Sequence, residues 1–402
     1  MELILVLNCG SSSVKYTLFD VEHEREVAGG AVERIGEGSP RLTHQDGGRP
    51  VQRAVEAADH DQALMQIHDV LLGPDSGVDG EVVGVGHRVV HGGEAFVEST
   101  LITPAVERTI EEYFALAPLH NPPNLAGIRA ARRFYPQVPH VAVFDTAFHQ
   151  SMPAHAYLYA LPYELYREEH IRKYGFHGTS HRYVSMRAAQ MLGRAEAFTG
   201  ITCHLGNGCS LAAVRRGRSV DTSMGLTPLE GVVMGTRSGD IDPAIIFHLS
   251  ERLEMPLSEV NQLLQRRSGL LGLSGVSNDM REVEKAAATG DARAELALAV
   301  FAYRVRKYIG AYLAVLGRIQ AVVLTGGIGA NGADMRRRIL EGLDHLGLVF
   351  DAELNRACRG QESDISAPHS PVRLLVIPTN EELLIARDTR DIVLSARERQ
   401  SA

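Results

Sequence analysis

Three segments of this 402-residue chain put small residues where a phosphate group could approach backbone N–H donors: Gly10-Ser11-Ser12-Ser13, Gly206-Asn207-Gly208-Cys209-Ser210 and Gly326 through Asn331. Phosphate oxygens reach backbone amides only where no bulky side chain stands in the way, which glycine and serine allow. None of the three segments has the G-x-x-x-x-G-K-[ST] spacing, so a Walker-type loop is excluded. Lys15 lies two residues beyond the first turn. In a strand it either points back toward a phosphate or stands in solvent, and the residues alone leave both open.

A second set of segments carries charge. Gly86-His87-Arg88-Val89-Val90-His91-Gly92-Gly93 ends an apolar run on His, Arg and His beside glycines, and Gly235-Thr236-Arg237-Ser238-Gly239-Asp240 places an arginine in a tight turn. A guanidinium is a planar fork that matches carboxylate and phosphate. His120 follows Leu119 in a proline-stiffened turn, Asp145 lies just beyond the apolar run Val138 to Phe144, and His177 sits between glycines in Tyr174-Gly175-Phe176-His177-Gly178. Two arginines, several histidines and an aspartate in loops are equipment for a multiply charged anion in transfer.

Two other chemistries compete for the same residues. His177 and His181 are four apart and would share a helix face as metal ligands, but the H-E-x-x-H pattern is absent and no third ligand is marked. Gly208-Cys209-Ser210-Leu211-Ala212 approximates the G-x-S-x-G hydrolase elbow, with Ser210 as nucleophile. That elbow must lead into a helix, whereas Leu211 to Val214 reads as a strand turned back by Arg216-Gly217-Arg218.

The elements that must position these residues read as alternating strands and helices, which suits mixed sheets covered by helices. Leu3–Leu7 and Val14–Phe19 are strands on either side of the first small turn, and Gly200–Leu205 with the strand through Val214 repeats the unit around the second. This echo predicts a duplicated architecture with one turn from each half facing a shared cleft. Strands are expected over Val82–Val90, Val138–Phe144, Ala321–Leu324 and Leu374–Ile377, and helices over Pro104–Leu116, Ala292–Leu316 and from about Ala333. Tyr303, Tyr308 and Tyr312 of the long helix are expected to pack, and Gly36 to Arg53 reads as a loop-rich periphery.

Apolar residues make up 45% and charged residues 22%, a balance that can bury a core, and a net charge of −8 argues against nucleic-acid or anionic-membrane binding. The apolar stretch Leu296–Leu316 is interrupted by Arg304, Arg306 and Lys307, so no membrane span is expected. The opening residues lack the basic leader of a secretory signal. Cys9, Cys203, Cys209 and Cys358 form no C-x-x-C pair, and reduced buried thiols in a cytoplasmic protein are expected.

Taken in order along the chain, these segments resemble the acetate kinases and their propionate and butyrate relatives. The resemblance runs from Asn8 to Glu382 and is carried by Asn8-Cys9-Gly10-Ser11-Ser12-Ser13-Val14-Lys15, the Gly86–Gly93 and Tyr174–His181 segments and His204-Leu205-Gly206-Asn207-Gly208. The run from Asp221 through Thr227-Pro228-Leu229-Glu230-Gly231 to Asp240 is equally specific. The resemblance implies an α/β, duplicated ribonuclease H-like fold of the actin, sugar kinase and heat-shock ATPase type, with two domains around an interdomain cleft. One domain would comprise residues 1–146 plus 383–402 and the other 147–382. It also implies a homodimer.

For the site, the resemblance implies ATP-dependent, reversible phosphorylation of acetate to acetyl phosphate, with propionate or butyrate as the alternative acid. Asn8 and Glu381 match magnesium-holding positions, with manganese as the alternative ion. Asp145, His177, Arg237 and Arg88 match the catalytic positions. Val90, Leu119, Phe176 and Pro228 match the apolar pocket for the acid, flanked by Arg88 and His120. Ser11, Ser12, Ser13 and Lys15 match the first phosphate loop. His204, Leu205, Gly206, Asn207 and Gly208, then Asp279, Met280 and Arg281, then Gly327, Ile328, Gly329, Ala330 and Asn331 match the ATP/ADP-binding segments.

Overall fold

Glu2–Cys9 (β1) is apolar at nearly every position, as a strand buried on both faces must be. It is the centre of the first of two units into which the chain divides: Met1–Ala147 with the chain from Asn380 onward, and Phe148–Thr379. The structure, a computed structural model, describes residues 1–401 apart from positions 49, 74, 75, 77 and 194–197.

In the first unit β1 pairs antiparallel with Ser13–Asp20 (β2), which pairs antiparallel with Arg25–Glu33 (β3). On its other side β1 pairs parallel with Glu81–Val89 (β6), and β6 pairs parallel with His140–Phe144 (β8). Arg41–Gln45 (β4) and Val51–Ala54 (β5) extend the β3 edge, and Thr100–Leu101 (β7) closes the other edge. The expected loop-rich region is thus corrected: much of it is a hairpin, because alternation at Leu42 and His44 buries one face of β4 while β5 remains exposed.

Two glycines bring the C-terminal helix Glu381–Ser401 onto β6. A side chain at Gly86 would lie 2.4 Å from Thr389 Oγ1, and one at Gly84 would lie 2.9 Å from Val393 Cγ2. Likewise a Cβ on Gly127 would lie 2.2 Å from Cys9 Sγ, so glycine lets helix Asn121–Phe134 press on the end of β1.

In the second unit Gly200–Leu205 (β9) pairs antiparallel with Cys209–Arg215 (β10), and β10 with Arg218–Thr222 (β11). β9 pairs parallel with Ala321–Thr325 (β12), and β12 with Arg373–Val376 (β14), which carries Ser363–Asp364 (β13) at the edge. The inner orders β3-β2-β1-β6-β8 and β11-β10-β9-β12-β14 share one sequence of directions, so the fold is a duplicated ribonuclease H-like α/β architecture. The echo of strand–turn–strand in the sequence is the first hairpin of each copy.

Helix Ala292–Leu316 is started by Asp291, whose side chain accepts from the N–H groups of Arg293 and Ala294, and is stopped at Gly317 with φ +70°. Leu298, Phe301, Val305 and Ile309 recur at helical spacing and are buried, each contributing about 1.5–3 kcal/mol of apolar burial. Of its tyrosines only Tyr312 is core. Tyr303 is 61% exposed, contrary to expectation, and Tyr308 donates to Asp240 Oδ2 at 2.7 Å. No helix among the described residues is long and apolar enough to cross a membrane.

Arg336 of helix Ala333–Leu340 is fully buried and acts as a tie rod. Its guanidinium donates to Asn355 Oδ1 and to the carbonyls of Gly329, Ala330, Asn355 and Cys358 at 2.8–3.0 Å. It therefore holds Gly326–Asn331 from behind, a segment that the sequence presents as a small-residue turn and that folds as a short helix. Arg336→Ala leaves those buried acceptors without a donor and is expected to cost about 3 kcal/mol or more, lowering the thermal midpoint by roughly 6–12 °C. Arg336→Lys should not restore it, since an ammonium cannot span five acceptors. Thermal unfolding followed by circular dichroism checks both.

Candidate active site

Parallel pairing aligns the C-terminal ends of β1, β6 and β8, the edge where open α/β sheets display ligand groups. Asn8, Arg88 and Asp145 stand there. Arg88 Nε donates to Asp145 Oδ1 at 3.0 Å and Nη2 to Oδ2 at 2.6 Å, a two-pronged pair, while Nη1 reaches Asn8 Oδ1 at 3.4 Å. Asp145 is buried and Arg88 is one-quarter exposed. The Asp145 carboxylate raises the Arg88 pKa further, so its charge is permanent.

Asn380 accepts from Leu383 N–H at 2.9 Å and starts the C-terminal helix, which puts Glu381 and Glu382 in its first turn. The half-buried Glu381 carboxyl is pushed up to about 7 by burial. Arg88 opposes that rise, and Asp145 and Glu382 add to it. Crowded oxygen donors of this kind suit a hard cation. Among the described residues no group of three or more His, Cys, Asp or Glu side chains could hold a metal by itself. His181, four residues from His177, has both ring nitrogens engaged by Thr202 and Ser210.

Beyond β6 the backbone is clamped by two asparagines that sequence reasoning missed. Asn124 Oδ1 accepts from Val90 N–H at 3.0 Å and its Nδ2 donates to Cys9 O at 2.6 Å. Asn121 accepts from His91 N–H at 3.1 Å and donates to His91 O at 3.0 Å. The turn read in His120-Asn121-Pro122-Pro123-Asn124 is in fact the start of helix Asn121–Phe134, with prolines at its first positions. Leu119 and His120 precede it and are exposed, Leu119 by 63%, whereas Val90 is buried. In the first small turn Gly10 N–H donates to Ser13 O at 2.7 Å and Gly10 O is bonded by His60 at 2.8 Å. Ser11 to Ser13 form that turn, and Lys15 is exposed on β2.

The second unit gathers its own set. His177 has φ +57°, a left-handed conformation rare outside glycine, at the entry to helix Gly178–Met191. Its Nδ1 is 2.9 Å from Ser210 Oγ, and its ring stacks on His204 at 4.2 Å between centroids. Arg237 Nη1 donates to Pro228 O at 2.6 Å. A Cβ built on Gly208 would lie 3.0 Å from Arg237 Nη2 and 3.3 Å from His177 Nε2, so both groups converge on the space that the missing side chain leaves. Burial lowers the Arg237 pKa while the Cys209 thiol raises it, which leaves a cation with little counter-charge. Phe176 is buried and its carbonyl is bonded by His149 Nε2 at 3.1 Å.

A cavity of about 490 Å³ lies beside the β9–β10 turn, walled by Gly206, Asn207, Asp279, Arg281, Ile328 and Asn331 among others. Asn278 Nδ2 donates to Asn207 Oδ1 at 3.0 Å, and Asp279 is held to about 2 by its hydrogen bonds with the Arg281 side chain and backbone. Met280 and Gly327 also line the cavity, whereas Leu205, Gly329 and Ala330 are buried and do not line it. Glu284 also lines it, with a buried Oε1 that has no hydrogen-bond partner among the described residues. No motif marks Glu284 or the two asparagine clamps; each is set by which helix face the fold turns inward.

Ser210 is not a hydrolase nucleophile. It lies inside β10, fully buried, with its hydroxyl taken by two histidines. The four cysteines are free and buried, and burial pushes Cys9 and Cys209 up to about 12, which makes them inert.

A family model described as the acetokinase family matches residues 3–387. The chain is 54% identical over 396 residues to an acetate kinase of Desulfitobacterium hafniense, covering 97% of this chain and 99% of that one. It is 53% identical over 395 residues to an acetate kinase of Methanosarcina barkeri, covering 97% of each. An acetate kinase of Porphyromonas gingivalis superposes with a TM-score of 0.94 at 44% identity, covering 98% of this chain and all of that one. A propionate kinase of Francisella tularensis superposes at 0.92, also with 44% identity, covering 97% and 100%. A match of this extent, on a chain with duplicated sheets, shows that the chain belongs to the acetokinase family.

Proposed function

We propose that this protein transfers the γ-phosphoryl group of ATP to the carboxylate of acetate, reversibly, giving acetyl phosphate and ADP. The observation that carries the reading is the convergence of His177 and Arg237 on the space over Gly208. Two nitrogen groups beside one glycine, one of them a cation held by a neutral carbonyl, suit an anionic group. The acetate kinases of high identity support acetate as the acid, and the propionate kinase of similar fold supports propionate as a second substrate.

A carboxylate is already a nucleophile, so no base is needed. One carboxylate oxygen forms a bond to the γ-phosphorus, the bond from that phosphorus to the β–γ bridging oxygen breaks, and ADP leaves with the electron pair. The obstacle is charge, because an anion approaches a polyanion. Arg88 would neutralise the incoming carboxylate, with Asp145 fixing its fork rather than acting as a base. Arg237 and His177 would donate to the equatorial oxygens of the phosphoryl group as charge spreads over them. Val90, Leu119, Phe176 and Pro228 would receive the methyl group, with His120 at their edge. The Gly206–Gly208, Asp279–Arg281 and Gly327–Asn331 segments would hold the nucleotide, and Glu284 offers an acceptor within the same cavity. Ser11 to Ser13 and Lys15 would meet phosphate oxygens.

Asn8 and Glu381 would hold magnesium, which when bound draws charge from the phosphate oxygens. Exposed Ile245, Phe247, Leu253 and Leu257 on two successive helices offer an apolar surface for a homodimer. Buried free thiols accord with a cytoplasmic protein.

Acid-dependent hydroxamate formation with MgATP tests the reaction. Acetate is expected to give the highest kcat/KM, with propionate next and butyrate lowest, each methylene shifting the ratio by about 1–3 kcal/mol at most. Absence of hydroxamate with all three acids rejects the proposal. Arg237→Ala should lower kcat by about 10²–10³-fold with only modest change in the KM for acetate. A raised KM at unchanged kcat would instead place Arg237 in ground-state binding. Glu381 must lose its proton to serve as a metal ligand. With its carboxyl raised to about 7, the magnesium concentration for half-maximal activity should rise as pH falls from 8 to 6. A requirement that is flat over this range contradicts the assignment.

A further inference from the structure

A row of side chains in the second unit runs from its core out to His177. Thr202 Oγ1 is 2.7 Å from His181 Nδ1, His181 Nε2 is 2.8 Å from Ser210 Oγ, and Ser210 Oγ is 2.9 Å from His177 Nδ1. Thr202, His181 and Ser210 are fully buried. Each of the three gaps takes one proton. A hydroxyl brings one, and a neutral imidazole brings one. His181 stays neutral, since burial and then the neighbouring His149 and His204 hold its pKa far below the ordinary imidazole value.

Two directions are then open to the row. Running outward, the Thr202 hydroxyl donates to His181 Nδ1, His181 Nε2–H donates to Ser210, and Ser210 donates to His177 Nδ1. The remaining proton sits on His177 Nε2. Running inward, His177 Nδ1–H donates to Ser210, Ser210 to His181 Nε2, and His181 Nδ1–H to Thr202. The Thr202 proton must then point away, and His181 is the only hydrogen-bond partner of that hydroxyl among the described residues. A buried hydroxyl proton without an acceptor is costly in a dry interior, so the outward direction prevails.

One of the groups that face His177 acts in the same sense. The His204 ring stacks on it, Arg237 Nη2 approaches across Gly208, and His181 lies behind Ser210. Arg237 is a cation, and it opposes an imidazolium at position 177. His204 is itself bonded through Nδ1 to Ser180 Oγ at 2.7 Å.

We propose that Thr202, His181 and Ser210 form a directional hydrogen-bond chain that fixes His177 as the neutral Nε2–H tautomer. His177 thereby offers a donor over Gly208 without needing to carry a charge. The three are positioning residues, and the histidine they orient is the one that would touch substrate. The catalytic consequence rests on the phosphotransfer reading, whereas the tautomer does not. The chain also explains why Ser210 is a serine inside a strand of apolar residues: its single proton and two lone pairs relay one direction between two imidazoles.

The test uses the full-length protein with 15N-labelled histidine, and His177→Gln assigns the signals. At pH 8 a long-range 1H–15N spectrum should show His177 with a proton on Nε2 and a bare Nδ1. Thr202→Val keeps the shape but removes the hydroxyl, and should move both nitrogens toward a tautomer mixture; Thr202→Ser should restore the pattern. Ser210→Ala should lower kcat at pH 8 by about tenfold or more, with both KM values within about twofold. An Nδ1–H tautomer in the unmodified protein overturns the proposal, as do unchanged nitrogen shifts in both Thr202→Val and Ser210→Ala. Should the unmodified protein make no acyl phosphate, the phosphotransfer reading fails, and the nitrogen spectrum still decides the tautomer.

Discussion

The parallel pairing of β1, β6 and β8 is the constraint on which the first half of the site depends. Asn8, Arg88 and Asp145 lie 80 and 57 residues apart, and register alone brings their strand ends level. A slip by one residue would turn Arg88 to the other face of the sheet. The register is protected from both sides. The C-terminal helix lies on β6 because Gly84 and Gly86 leave room for it, and helix Asn121–Phe134 reaches β1 because Gly127 does. Asn121 and Asn124 then bond the backbone on which Val90 and His91 sit. Packing and polar satisfaction therefore act together at this edge of the sheet.

The two arginines are set up differently, and the difference is informative. Arg88 is locked by a buried carboxylate, so its direction is fixed and much of its charge is balanced. Arg237 is held by a neutral carbonyl, so its direction is fixed while its charge remains to be balanced. In a partly desolvated site an oriented, uncompensated cation favours the point at which negative charge gathers. His177 follows a third pattern, a proposed neutral donor whose proton position is set by hydroxyls and a buried imidazole.

Duplication gives the two units one sheet order but not one chemistry. The first hairpin of each copy carries a small-residue turn, at Gly10–Ser13 and at Gly206–Gly208. What differs is the wall behind the turn. In the first unit it is a helix bearing asparagines, and in the second it is the short helix Gly326–Asn331 anchored by Arg336. Arg336 shows how a polar residue can be core: its five donated bonds replace the water it loses.

Much of this was legible in the residues. Apolar runs ending in Gly, Ser or Asn marked β1, β9 and β12, because a buried strand needs a continuous apolar stretch and a phosphate-sized turn needs small side chains. The repeated strand–turn–strand unit foretold the duplication, and the ordered motifs foretold the family. The sequence could not mark Asn121, Asn124, Glu284 or Thr202, since their roles depend on what a folded neighbour offers a single amide, carboxyl or hydroxyl. It read Gly36 to Arg53 as loop-rich because the short, half-exposed hairpin there has too little apolar alternation to register. Residue types and spacing determined which chemistry was available, because charge, size and hydrogen-bonding capacity belong to the side chain itself. Only the tertiary structure decided which donors point at one place, which charge is compensated and which way a proton is directed, because those are properties of distance and burial between residues far apart in the chain.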